Sequence, residues 1–83
     1  MYEIRILDEA IDELSKLDKT VAKRIIKRVK WLAENFDNIR VEMLTSNLAG
    51  FYKLRIGDYR LIYEVFLEDK VIVIHKIGHR RNI

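Results

Sequence analysis

Lys53, Arg55 and Arg60 flank a Gly57-Asp58 pair in the stretch FYKLRIGDYRLIYEV, residues 51–65. Alternating apolar and polar runs on either side of Gly-Asp predict a two-residue hairpin with a type II′ turn. That turn sets a register: Ile56 faces Tyr59, Arg55 faces Arg60, Leu54 faces Leu61, Lys53 faces Ile62 and Tyr52 faces Tyr63. Side chains alternate between the faces of a strand, so Tyr52, Leu54, Ile56, Tyr59, Leu61, Tyr63 and Val65 form a core face. Phe51, Lys53, Arg55, Arg60, Ile62 and Glu64 share the other. Like charges placed directly opposite destabilise a strand pair by up to about 1 kcal/mol. Two readings fit this patch: a solvated face that is merely basic, or a face whose missing counter-charge is a bound anion. Guanidinium forks match phosphate geometry. Preorganised cations aimed at charge developing on such an anion contribute about 3 kcal/mol each. Proton transfer needs another group, because arginine stays protonated. Lys53, crowded by like charge, and His79, an imidazole suited to neutral pH, are the candidates. Glu64 reads better as a salt-bridge partner than as a base. Arg80 joins the cluster if the tail after Gly78 folds back beside the hairpin.

The elements that must position these groups follow from periodicity. Tyr2–Leu7 (YEIRIL) alternates and predicts a strand. Asp8 is placed to cap a short helix carrying Ala10, Ile11, Leu14 and Leu17. Asp18 is placed to cap a longer one, from about Lys19 to Asn35. Its stripe is Val21, Ile25, Val29, Leu32 and Phe36, widened by Ala22, Ile26 and Ala33. The two form an antiparallel helical hairpin. Residues 37–50 lack strong periodicity and are expected to be mostly loop, with Val41, Met43, Leu44 and Leu48 draped over the core. Val71–Ile77 (VIVIHKI) is nearly apolar on both faces, which predicts an interior strand, and leaves the face of His75 undecided. His79-Arg80-Arg81-Asn82-Ile83 is a basic tail. The expected class is α+β, in the order β-α-α-β-β-β. The helical hairpin would pack on one face of a mainly antiparallel four-stranded sheet, as one domain over residues 1–83.

Composition bounds the chemistry. With 49% hydrophobic and 35% charged residues, the chain is globular. It has no cysteine, hence no disulfide or thiolate metal site, and His75 and His79 match no metal-ligand spacing, so neither a metal nor a cofactor is expected. No apolar run is long enough to span a membrane. Residues 1–50 hold nine Lys/Arg and nine Asp/Glu, whereas residues 51–83 hold seven and four, so the net charge of +3 sits in the last third. Such a concentration favours a polyanionic partner. The longer helix adds Lys23, Arg24, Lys27, Arg28 and Lys30, either an ordinary solvated face or a docking surface for phosphates. Trp31, beside the stripe, reads as packing rather than a base-stacking platform.

YKLRIGDYRLIYEV followed by VIVIHKIGHRRNI resembles the RelE/ParE superfamily of bacterial and archaeal toxins. The resemblance covers essentially the whole chain in element order, with GDYRLIY and IGHRR its most specific segments. It implies the cytoplasmic toxin of a type II toxin–antitoxin module, neutralised by an antitoxin protein, with no cofactor and no membrane. In the RelE branch it implies a ribosome-dependent endonuclease that cuts messenger RNA in the A site. The branch's catalytic cations fall on Lys53, Arg55, Arg60 and Arg80. His79 is a possible acid–base group, and Lys23, Lys27, Lys30 and Arg81 are the expected contacts to RNA or ribosome. The branch's C-terminal tyrosine has no counterpart before Ile83. That departure motivates two alternatives: a ParE-like inhibitor of DNA gyrase, or a catalytically weakened toxin that keeps antitoxin binding, using the apolar segment Val41 to Leu48.

Overall fold

In the computed structural model, which describes residues 1–38, 42–43 and 50–81, the Gly57-Asp58 turn closes as a type II′ turn requires. Gly57 has φ +59°, and Asp58 stays out of the positive region. Strands β3 (Phe51–Ile56) and β4 (Tyr59–Phe66) therefore pair in the expected register, Arg55 opposite Arg60 included. Strand β5 (Val71–His79) pairs antiparallel with β4, and β1 (Glu3–Ile6) lies parallel along its other side. The near-continuous apolar run of β5 is thus interior, as its composition predicts. One strand was not expected. Glu42–Met43 forms a two-residue β2 that pairs with Lys53 and Tyr52, giving the order β1-β5-β4-β3-β2. It adds a short edge to the α+β architecture. Val41, Leu44 and Leu48, from the same apolar segment, lie outside the described residues.

Helix α1 spans Asp8–Ser15 and α2 spans Lys19–Asn35. Asp18 caps α2 as expected, its Oδ2 accepting the Thr20 N–H at 3.1 Å. Asp8 does not cap α1. The extended residue before the helix is Leu7, whose carbonyl accepts the Ile11 N–H at 2.9 Å, with no side-chain cap. Asp8 and Glu9 instead place negative charge in the first turn, against the helix dipole. Helix α2 covers the core face of the sheet, burying Ile25, Val29, Leu32 and Ala33 against Leu61, Tyr63, Ile72 and Ile74. Two stripe residues stay outside: Ile11 and Ile26 are about half exposed, and Ile26 borders a small apolar cleft with Ile4, Ile6 and Leu14.

Helix α1 runs beside β5 where β1 ends. Leu7 N–H donates to the Ile74 carbonyl at 3.1 Å, the Ile77 N–H donates to Glu13 Oε1 at 3.0 Å, and Lys76 Nζ lies 3.2 Å from Glu9. Here the β4–β5 ladder slips by one. Ile62 opposes Lys76 while Tyr63 opposes Ile74, so His75 is the extra residue of a β-bulge.

Leu61 is fully buried, and Leu61→Ala is expected to lower the unfolding free energy by about 2–5 kcal/mol, read from urea denaturation. Burial, with the Tyr52 hydroxyl second, pushes the Tyr63 hydroxyl up to about 12. Its unfolded counterpart ionises near the ordinary tyrosine value, about 10. The native state therefore holds its proton longer, and the associated stability is complete below about pH 10 and lost as pH rises towards 12. Tyr63→Phe should flatten that alkaline loss, on the order of 2 kcal/mol, in melts taken across this window.

Candidate functional site

The sheet face away from α2 carries three successive rows across β3, β4 and β5. The row furthest from the hairpin turn is Phe51, Glu64 and Val73; then come Lys53, Ile62 and Lys76; then Arg55, Arg60 and Gly78. Lys53 and Arg60 are half-buried and Arg55 is exposed. Gly78, directly across from Arg60, contributes no side chain to the row nearest the turn. The chain beyond β5 is pinned to the turn, the Arg80 N–H donating to the Asp58 carbonyl at 2.8 Å. The Arg80 guanidinium stays at the tip, Nε 3.9 Å from Asp58 Oδ1, and both side chains are largely solvated. Of the four cations expected to act together, the register thus puts Lys53, Arg55 and Arg60 on one face and Arg80 at its end.

The candidate acid–base groups separate. His79 pairs with Tyr59, so it stands on the helix side of the sheet, edge-on to the Tyr59 ring at 5.5 Å between centroids. Its Nδ1 accepts the Arg81 N–H at 3.3 Å, which leaves the proton of a neutral ring on Nε2. Glu64 has a partner, as expected, and that partner is His75: Nε2 lies 3.1 Å from Glu64 Oε1, and the ring stands edge-on to Phe51 at 4.9 Å. The bulge is what turns His75 onto the cationic face. Among the described residues, no three His, Asp or Glu side chains gather as metal ligands. No described helix is long and apolar enough to cross a membrane.

The basic residues of α2 divide around the helix. Arg24, Lys27, Arg28 and Trp31 line an open groove of about 470 Å³ whose other wall is Arg55, Ile56 and Gly57. The Arg28 guanidinium lies 4.2 Å from the centre of the Trp31 ring, and Arg24 reaches the turn, its Nη1 3.7 Å from where a Gly57 Cβ would stand. Trp31 does pack on the core, as expected, while also forming part of this groove. Lys30 lies on the opposite flank at the apolar cleft, Lys23 is exposed and lines neither cavity, and Arg81 is exposed in the turn after β5.

Residues 4–83 match the family model described as the ParE toxin of type II toxin–antitoxin system, parDE. The chain belongs to that family. The toxin is also similar to solved RelE structures. These include the toxin–antitoxin complex RelBE2 of Mycobacterium tuberculosis (28% identity over 95% of this chain and 98% of that one, TM-score 0.85). They also include the isolated RelE toxin of Escherichia coli (26% identity over 95% and 84%, TM-score 0.80). The archaeal RelE–RelB complex of Pyrococcus horikoshii shares 27% identity over 99% and 98%, at a TM-score of 0.73. The toxin is thus a RelE/ParE-superfamily member with the α+β fold of RelE toxins.

The opposed arginines predict a gain on charge reversal. Replacing Arg55 with Glu is expected to stabilise the toxin by a few tenths to about 1 kcal/mol. Urea denaturation checks this, and the gain should shrink as added salt screens the pair.

Proposed function

We propose that the toxin is a ribosome-dependent messenger-RNA endonuclease, with its catalytic centre on the open sheet face. The observation that carries this reading is the register of Arg55 directly across from Arg60, with Lys53 in the next row and Arg80 held at the tip. Arg55 and Arg60 clamp the scissile phosphate, and Arg80 neutralises charge on the leaving side. The 2′-oxygen attacks phosphorus as its proton passes to a base, and the bond to the 5′-oxygen breaks. That oxygen takes a proton, leaving a 2′,3′-cyclic phosphate and a 5′-hydroxyl. Lys53 is the nearest candidate base in the register; His79, on the opposite side of the sheet beside Tyr59, is out of reach of a phosphate held there. Lys23, Lys27, Lys30 and Arg81 supply further contacts to ribosomal or messenger phosphates. A protein antitoxin, as in the complexes of its structural relatives, is the regulatory partner.

Primer extension on programmed ribosomes tests the assignment. A-site cuts are expected, and Arg60→Ala should reduce their rate by about 10²–10³-fold, the usual loss on removing one donor to a developing oxyanion. Absence of cleavage at any toxin concentration overturns it. A second reading, inhibition of DNA gyrase, is favoured by the match to the ParE family model. It predicts loss of supercoiling activity at stoichiometric toxin, and an unaffected gyrase removes it.

A further inference from the structure

We propose that the groove between α2 and the hairpin turn is a second RNA-binding surface, holding the backbone of a single strand that continues from the sheet face around the tip. The proposal rests on the nuclease reading for the identity of its polyanion. Its physical basis is separate. Arg24, Lys27 and Arg28 recur at helical spacing, so they project from one side of α2, and Trp31 extends that side to about 10 Å along the axis. Arg55 closes the groove from the hairpin, so four cations and an indole line it, with no carboxylate among the described lining residues. Among the described residues, Arg24, Lys27 and Arg55 make no ion pair or hydrogen bond. Like charges gathered around one open groove repel one another unless an anion lies between them.

The finer geometry suits phosphates. Stacking on Trp31 holds the Arg28 guanidinium plane in place, leaving N–H groups at its rim to donate to phosphate oxygens. The Arg24 guanidinium lies over the turn at Gly57, within ordinary van der Waals distance of where a Cβ would stand. A basic groove with an aromatic beside it is the usual arrangement for tracking single-stranded nucleic acid. An acidic peptide would satisfy the charge as well. Arg55 favours RNA: it belongs both to the row of Arg60 and to this groove, so one evenly charged strand can pass between the surfaces without a break.

Trp31 is the only tryptophan in the chain, so its fluorescence reports on this groove alone. The probe is a short 2′-O-methylated single-stranded RNA, which lacks the attacking hydroxyl and therefore separates binding from cleavage. Binding should change Trp31 emission and weaken with salt. The double variant Arg24→Ala/Lys27→Ala should bind on the order of tenfold more weakly at low salt, with a salt slope shallower by about 0.7 per cation removed. Lys19→Ala, a charge removed from the same helix outside the groove, should leave both unchanged. Equal binding and salt slope in the double variant, or RNA binding with no change in Trp31 emission, overturns the proposal. So does a Trp31 response to oligoglutamate under conditions where RNA gives none, which would assign the groove to an acidic protein segment. If ribosomal cleavage fails while the RNA response and its loss in the double variant persist, the nuclease reading falls and this surface stands.

Discussion

Arg55 and Arg60 stand opposite each other because a two-residue turn at Gly57-Asp58 leaves the hairpin a single register. A slip of one residue would carry Leu54, Leu61 and Tyr63 out of the core and drive the cations into it. The arrangement that buries those residues under α2 therefore also stacks Lys53, Arg55 and Arg60 on the far face. Their repulsion is held in place by the packing of the opposite face. This is the sense in which the fold and the candidate site are one constraint: the apolar half of each strand positions the charged half.

Much of this was legible in the sequence because it depends on local signals. Gly-Asp between alternating runs determines the turn, Asp18 before a helical stripe determines where α2 begins, and an apolar run at Val71 marks an interior strand. What was not legible depends on tertiary placement. The bulge that turns His75 towards Glu64 has no signal within VIVIHKI. It coincides with the end of β1, where Glu13 of α1 takes over the Ile77 N–H. Asp8 has a capping side chain but follows an extended Leu7, so it begins the helix instead of capping it. The groove beside the turn was missed for another reason. The helix cations were grouped by charge, whereas Arg24, Lys27, Arg28 and Trp31 share an angular position that Lys23 and Lys30 do not. That spacing was available in the sequence. That this side of α2 meets the hairpin turn was not.

The toxin's cations thus occupy two surfaces separated by the sheet and joined at the hairpin tip. Arg55 contributes to both. The clamp from Arg80 to Asp58 fixes the tip itself, so the start of the basic tail is held beside the turn rather than left to wander. Histidines follow the same division: His75 faces the cations through the bulge, and His79 faces away against Tyr59.

The parallel pairing of β1 with β5 joins segments from opposite ends of the fold. Closing so large a loop is slow compared with forming the α1–α2 or β3–β4 hairpins. Val71–His79 is the last of the described strands to be synthesised. Until it docks, β1 has no strand neighbour and Arg60 sits on β4 as an open edge. The cationic face of β3 and β4 therefore gains its full backing only once Val71–His79 has docked between β4 and β1.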